Sequence, residues 1–232
     1  MGCMLRRIFM SNPILFKFWF NNFRKSRLNL PSNKDSFYFD GYPRSGNSYF
    51  TNLTREIYPK MSFSHHLHTI GAIKISLKKN IPTLIIVRNP LDSIASLYVM
   101  KNKDEVFNNK LLNKHIKDYI KYHEFVLKNI NRLKIVEFQR LINEPQLFLD
   151  SLGELNVDLS IQKDDYKRLL NAVENDSIKK RQSKMSKEHA LRFSSTPNPV
   201  RTKLKDEIKK SIVENHNFKK ATDLFHDIIE QK

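Results

Sequence analysis

Cysteine and long apolar runs are both scarce in this sequence. Its 232 residues include one cysteine, Cys3, so no disulfide can form within the chain and a disulfide-stabilised scaffold is excluded. The longest apolar stretch near the N-terminus, residues 13–20, is interrupted by Lys17 and is far shorter than the ~20 residues that a membrane-spanning helix needs. We therefore expect a protein of a reducing, cytoplasmic compartment without a transmembrane segment.

Acidic residues are also few, because 24 Asp and Glu stand against 41 Lys and Arg, for a formal charge of +17. This imbalance indicates an anionic partner: nucleic acid, anionic lipid, a polyanionic glycan or a nucleotide. The length and the 40% hydrophobic content predict one folded domain, at residues 36–232. Residues 1–35 form a basic aromatic segment. It is predicted either to contact an anionic membrane surface or to pack on the domain by its aromatic face.

Predicted strands and helices alternate along the chain. Strands are predicted at 37–40, 61–65, 83–87 and 133–138, and helices at 47–58, 70–77, from Asn89–Pro90 onward, 104–131, from Asn143–Pro145 to about Leu152, 163–178 and 201–229, with a long loop at 179–200. This order predicts an α/β fold in three layers, a parallel sheet of four or five strands flanked by helices. Ligands of such folds bind at the carboxyl ends of the strands.

Two of the five glycines, Gly41 and Gly46, stand in a loop between a predicted strand and a predicted helix. With Ser48 they have the Gly-x4-Gly-x-Ser spacing of a P-loop, whose amides bind phosphate, although a plain glycine turn has the same spacing. Asn47 occupies the position of the Walker lysine, and the central strand ends in Arg88 instead of a magnesium-binding Asp. These differences disfavour ATP or GTP hydrolysis and suit a phosphosulfate donor that needs no obligatory metal.

The loop YPRSGNSY at residues 42–49 resembles the 5′-phosphosulfate loop of the sulfotransferases that use 3′-phosphoadenosine 5′-phosphosulfate (PAPS), usually YPKSGTTW. Residues 86–98, IVRNPLDSIASLY, resemble the 3′-phosphate motif of the same family. The resemblance implies a P-loop-type sulfotransferase fold with PAPS as co-substrate and no metal. It also implies donor-binding residues at Pro43, Arg44, Ser45, Gly46, Asn47, Ser48, Tyr49, Arg88 and Ser96.

The chain departs from the family pattern in several features. Arg44 replaces the loop lysine, and as a cation it is still expected to stabilise the charge of the transferring group, which makes it a catalytic candidate. Tyr49 replaces the tryptophan that stacks on adenine. The glycine-rich loop that covers the nucleotide in the family has no glycine in the corresponding segment here.

Three histidines lie between the two motifs, in the sequence Ser64-His65-His66-Leu67-His68. The resemblance selects His66 as the general base, because a His-Leu pair precedes the 3′-phosphate arginine by 22 residues in the family. His68 and a carboxylate such as Glu56 remain alternatives. A metal site is disfavoured, since no carboxylate or cysteine accompanies the histidines locally.

The sequence therefore predicts transfer of a sulfonyl group from PAPS to a hydroxyl or amine acceptor, by in-line displacement with a histidine base. The acceptor class stays open among glycans, lipids and small molecules. The alternatives are an atypical P-loop kinase and a basic nucleic-acid-binding protein. No nucleic acid is expected as a partner, because the lysines are spread along predicted helices as solvated faces.

Overall fold

The computed structural model describes residues 8–23, 29–102, 106–144, 146–157 and 199–231. The predicted helix at 163–178 lies outside these residues, as does the predicted loop at 179–200 apart from its last two residues. The strands are β1 (Phe37–Gly41), β2 (Phe63–His65), β3 (Thr83–Val87) and β4 (Lys134–Glu137). The helices are α1 (Pro13–Phe23), α2 (Asn47–Ile57), α3 (Ile70–Lys78), α4 (Pro90–Lys101), α5 (Asn109–Lys128), α6 (Phe138–Asn143), α7 (Gln146–Glu154), α8 (Pro199–Val213) and α9 (Phe218–Glu230), with a 3-10 turn at Ile130–Arg132.

The four strands form one parallel sheet in the order β2-β1-β3-β4. Strands β1 and β3 lie in its centre and are buried along their whole length, which explains their nearly continuous apolar sequences. Helices cover both faces of the sheet. The predicted three-layer α/β fold is thus confirmed, with four strands.

Two apolar clusters fill the space between the sheet and its helices. On one face, Phe39 and Leu84 pack with α2, α6 and α7. On the other face, Tyr38 and Ile85 pack with α1, α3, α4, α5, α8 and α9. Neighbouring residues of a strand point to opposite faces, so each central strand contributes to both clusters.

Three helix boundaries differ from the prediction. Helix α5 begins only after Asn108, whose side chain accepts a hydrogen bond from the Leu111 amide at 2.9 Å and so caps the helix. Strand β4 ends at Glu137, and Phe138 begins a short helix that the sequence analysis did not predict.

The third difference is a break between α8 and α9, where one helix over 201–229 was predicted. The side chain of Asn215 accepts a hydrogen bond from the Asn217 amide at 3.1 Å, a local turn that competes with helix continuation. The same side chain donates to Asn113 on α5 at 2.7 Å. This contact fixes the break at the point where α9 turns to pack along α5.

Helix α1 packs against α3. Phe16 and Phe20, one turn apart, are buried in the shared cluster. A Cβ on Gly71 of α3 would lie 2.9 Å from the Cβ of Phe16 and 3.1 Å from the Met10 carbonyl oxygen, so a larger residue there would force α1 to shift. Among the described helices, α1 included, none combines the length and the apolar character of a membrane span.

Candidate functional site

The predicted P-loop follows β1 and leads into α2, and its two glycines are both sterically required. A Cβ on Gly41 would lie 2.4 Å from the Ile86 carbonyl oxygen of β3. Gly46 has φ 87°, and a Cβ there would lie 2.6 Å from the ring of Phe138. The loop therefore lies directly on β3 and on the first residue of α6, at the carboxyl edge of the sheet.

The start of α2 has the groups that an anion needs. Gly46 is the N-cap residue and provides no side-chain cap. The amides of Asn47 and Ser48 lie in the first turn of the helix, where N–H groups have no acceptor within the helix. The hydroxyl oxygen of Ser45 is buried without a hydrogen-bond partner in the described chain. Asn47 donates to the Gly41 carbonyl at 3.3 Å and closes the loop. These groups fit a phosphate or sulfate oxygen.

Arg44, Arg88 and Ser96 come from three different elements and meet beside this loop. The Nε of Arg44 donates to the Ser96 hydroxyl at 3.0 Å. The Nη1 of Arg88 donates to the carbonyl oxygen of Arg44 at 2.8 Å. The side chain of Arg44 thus points toward Ser96 on α4, and its backbone has φ 77°, an unfavourable value for a residue with a side chain. The two predicted motifs therefore form one continuous group.

The guanidinium of Arg88 is half-buried, and its carbon lies 4.3 Å from the centre of the Phe138 ring. Burial lowers its pKa, an effect that the nearby Asp92 carboxylate opposes. Asp92 itself is paired with Lys209 at 2.9 Å. Arg88 forms no ion pair with any residue that the structure describes, so a half-buried cation stands beside the P-loop with only a carbonyl and an aromatic face as partners.

Phe138 supports both Gly46 and Arg88, a role that the sequence analysis missed. It lies at the end of β4, which neighbours β3 in the sheet. Nothing in the sequence near Phe138 indicates this contact, because it depends on strand order.

A buried carboxylate, Asp40, lies at the end of β1 under the loop. It is fully buried and accepts hydrogen bonds from the Tyr38 hydroxyl, from the Gly41 amide at 2.9 Å and from the His68 amide at 2.6 Å. Burial raises the pKa of this carboxyl, but the charge of His68 and the hydrogen bonds outweigh burial and leave the pKa below its ordinary value. The sequence signal was present but unused, since an Asp at the end of an otherwise apolar strand needs partners.

His68 is oriented by this carboxylate. Its Nδ1 lies 3.0 Å from the Asp40 Oδ1 and 2.7 Å from the Gly41 carbonyl oxygen. Both partners are acceptors, so Nδ1 carries a proton, and the Nδ2 of Asn47 lies 3.3 Å from the same nitrogen. An imidazole oriented by a buried carboxylate is an arrangement that general bases use.

His66 has a different hydrogen-bond pattern, which begins at a cation. Arg55 can only donate, and it contacts the Nε2 of His65 at 3.0 Å. The Nδ1 of His65 lies 2.7 Å from the Nδ1 of His66. The Nδ1 of His66 also lies 3.1 Å from the Thr51 hydroxyl, and its Nε2 lies 3.0 Å from the Ser48 hydroxyl.

Burial, followed by the charges of neighbouring groups, lowers the pKa of His65 to about 4 and that of His66 to about 3. Both rings are consequently neutral near pH 7. His66 contacts two hydroxyls of α2, those of Ser48 and Thr51, whereas His68 contacts the Asp40 carboxylate. The two ring centres are 5.5 Å apart, and both residues have positive φ, 59° and 50°.

The other predicted residues are placed as follows. Tyr49 is half-buried and packs edge-on against Phe50 with ring centres 5.0 Å apart. Pro43 lies in the half-buried turn of the loop, and Glu56 is exposed in the last turn of α2. The described ranges contain no group of three or more His, Cys, Asp or Glu that could hold a metal ion.

Comparison with known proteins finds similarity among solved structures, where 18 chains match. No protein-family model matches the chain, and no curated protein sequence matches it. The fold is similar to the crystal structure of mouse sulfotransferase SULT7A1 complexed with PAP, with 13% sequence identity and a TM-score of 0.48 over 87% of this chain and 90% of that chain.

Proposed function

We propose that this protein is a sulfotransferase that uses PAPS as donor and transfers the sulfonyl group to a hydroxyl or amine. The observation that carries the proposal is the Arg88 guanidinium, half-buried beside a phosphate loop without an ion pair in the described chain. A cation held in such a place is costly unless an anion binds there. The hydrogen bonds that join Arg88, Arg44 and Ser96 support one anionic ligand spanning both motifs.

The loop and the two arginines are assigned to different parts of the donor. The amides at the start of α2 and the hydroxyls of Ser45 and Ser48 are suited to the 5′-phosphosulfate. Arg88 and Ser96 are assigned to the 3′-phosphate. Because Arg44 already contacts Ser96 at 3.0 Å, we assign its guanidinium a place between the two phosphate groups, with charge for both.

The reaction is a direct displacement at sulfur. The acceptor oxygen or nitrogen forms a bond to sulfur while the bond from sulfur to the bridging phosphate oxygen breaks. The electron pair of that bond leaves with 3′-phosphoadenosine 5′-phosphate (PAP), whose negative charge Arg44 stabilises. The acceptor proton passes to a histidine. We assign this role to His68 in preference to His66, because the Asp40 carboxylate orients the His68 ring and stabilises the charge that the ring gains with the proton.

The experiment that tests the proposal is calorimetric titration with PAP and with adenosine 5′-phosphate, which lacks the 3′-phosphate. Arg88→Ala is expected to weaken PAP binding by roughly 10- to 150-fold, because a hydrogen bond to a charged group contributes about 1.5–3 kcal/mol. Binding of adenosine 5′-phosphate should scarcely change. Arg140→Ala, which removes an exposed arginine from α6, is the matched control and should leave both affinities unchanged.

Transfer is then measured with PAPS labelled in its sulfur, against glycans, lipids and phenols. Failure of the wild-type protein to bind PAP would exclude the function. Equal losses for both nucleotides in Arg88→Ala would remove the 3′-phosphate assignment. Turnover of ATP that depends on magnesium would indicate the kinase alternative instead.

A further inference from the structure

Helix α1 has two apolar faces, only one of which is covered by the described chain. Phe16 and Phe20 are buried against α3. On the opposite side, Ile14 is 77% exposed and Phe18 is 58% exposed. Phe23, the last residue of the helix, is 69% exposed, and its ring lies beside that of Phe18. A helix on the surface of a globular protein normally presents polar residues on its outer face.

This concentration of exposed apolar side chains is local. Among the described residues, eight large hydrophobic side chains are exposed, and four of them lie in residues 8–23, namely Ile8, Ile14, Phe18 and Phe23. Phe18 and Phe23 contact each other edge to face, with ring centres 6.5 Å apart. They form a patch on one element, whereas a protein surface usually carries such side chains singly.

The charge of the same segment is uniform in sign. Residues 1–34 contain seven basic residues and no acidic one, the basic residues being Arg6, Arg7, Lys17, Arg24, Lys25, Arg27 and Lys34. Lys17 lies in α1 next to Phe18 and is exposed. Apolar side chains that penetrate the acyl boundary, together with basic side chains at the level of the headgroups, are the chemistry of a helix lying in an anionic membrane surface.

We propose that the outer face of α1, formed by Ile14, Phe18 and Phe23 with Lys17, binds an anionic lipid surface. The inner face stays on α3 during this contact, because Phe16 and the Gly71 position lock the two helices at close range. The helix then lies parallel to the bilayer plane and tethers the folded chain to it. This proposal is independent of the donor site and of the proposed reaction.

The experiment is sedimentation of the full chain with vesicles of phosphatidylcholine alone and of phosphatidylcholine with about 30% phosphatidylserine. The wild type is expected to bind the anionic vesicles and to be released by ~0.5 M salt, since surface charge is screened at that ionic strength. The variant with Ile14→Ser, Phe18→Ser and Phe23→Ser should bind roughly 10-fold or more weakly, because it loses the inserted apolar area.

The matched control replaces two exposed apolar residues elsewhere, Ile142→Ser and Val213→Ser, and should bind like the wild type. Lys17→Glu, a single exposed change, should weaken binding to anionic vesicles without affecting the fold. Equal binding of wild type and both α1 variants would overturn the proposal, and so would equal binding to neutral and anionic vesicles. A wild-type dimer that the triple variant converts to monomer, with no vesicle binding, would assign the face to a second copy and also overturn it.

Discussion

The carboxyl edge of the sheet and the outer face of α1 both depart from the usual distribution of side chains. The first buries polar groups, and the second exposes apolar ones. At the sheet edge, the charged Asp40 and the polar Ser45 are fully buried. On α1, Ile14 and Phe18 are exposed. Since burial of a polar group and exposure of an apolar patch both cost free energy, each region is a candidate for binding, the first for an anion and the second for a lipid surface.

The two regions also differ in how they are held in place. The sheet edge depends on directed hydrogen bonds, such as those that Asp40 accepts, so each partner there has a fixed geometry. Helix α1 depends on apolar contact at Phe16 and Phe20, which tolerates small shifts. We therefore expect single substitutions at the edge to change chemistry sharply and substitutions at α1 to change stability or membrane contact modestly.

The largest effect is expected for the base. His68→Ala should lower turnover by about 100-fold or more while PAP affinity stays within a few-fold, because a general base contributes about that much to the rate. His66→Ala, the matched variant, should lower turnover by less than about 10-fold, since the ring of His66 contacts His65 and two hydroxyls instead of a carboxylate. Steady-state kinetics with saturating acceptor measures both, and the reverse order would show that His66 is the base.

The next largest effect is expected from acid, which should lower the stability of the helix layer behind the sheet edge. Burial lowers the pKa of His123 to about 4, and this ring stacks on Tyr119, whose hydroxyl donates to the Arg88 carbonyl at 2.8 Å. The unfolded chain takes up the proton near pH 6.5 and the folded chain only near pH 4, so stability falls as pH drops through that window.

At pH 5 the loss from His123 alone is about 2 kcal/mol. Urea unfolding at pH 7 and pH 5 measures it, with His123→Phe as the variant that keeps an aromatic ring and removes the titration. The variant should lose correspondingly less stability between the two pH values. An identical pH dependence in both proteins would show that His123 titrates normally.

A smaller effect is expected where α1 meets α3. Gly71→Ala places a methyl group 2.9 Å from the Phe16 Cβ, and we expect a loss of about 1 kcal/mol, at the low end of overpacking costs, because α1 can shift. Thermal unfolding measures the change. Vesicle binding should persist, since the outer face is intact. A gain in stability would mean that α1 is held less closely than the contact indicates.

The smallest effect is expected at Ser96. Ser96→Ala removes a neutral hydroxyl and no charge, so the affinity for PAP should fall by about two- to five-fold, far less than in Arg88→Ala. Titration with PAP and adenosine 5′-phosphate, as for Arg88, gives the comparison. A loss as large as that of Arg88→Ala would mean that the Arg44–Ser96 contact, and through it the loop, depends on this hydroxyl.

Much of the fold was predictable because local patterns were strong. The buried strand at 83–87 and the helix start at Asn89–Pro90 were both predicted, and Asn89 caps α4 through the Leu91 amide at 2.9 Å. The break at Asn215 and the helix at Phe138 were not predicted, because they depend on contacts with α5 and with the P-loop. Local propensity contains no information on such distant partners.

The sequence by itself determined the α/β alternation, the glycine loop at 41–46 and the basic aromatic character of the N-terminal segment, because each depends on consecutive residues or on helical spacing. Only the tertiary structure decided which histidine is oriented by Asp40, that Phe138 supports both Gly46 and Arg88, and which face of α1 stays outside. These features depend on strand order and on helix packing, which bring residues 28 to 92 positions apart into contact. Hydrogen-bond direction and steric fit act over a few ångströms in space, whatever the separation along the chain.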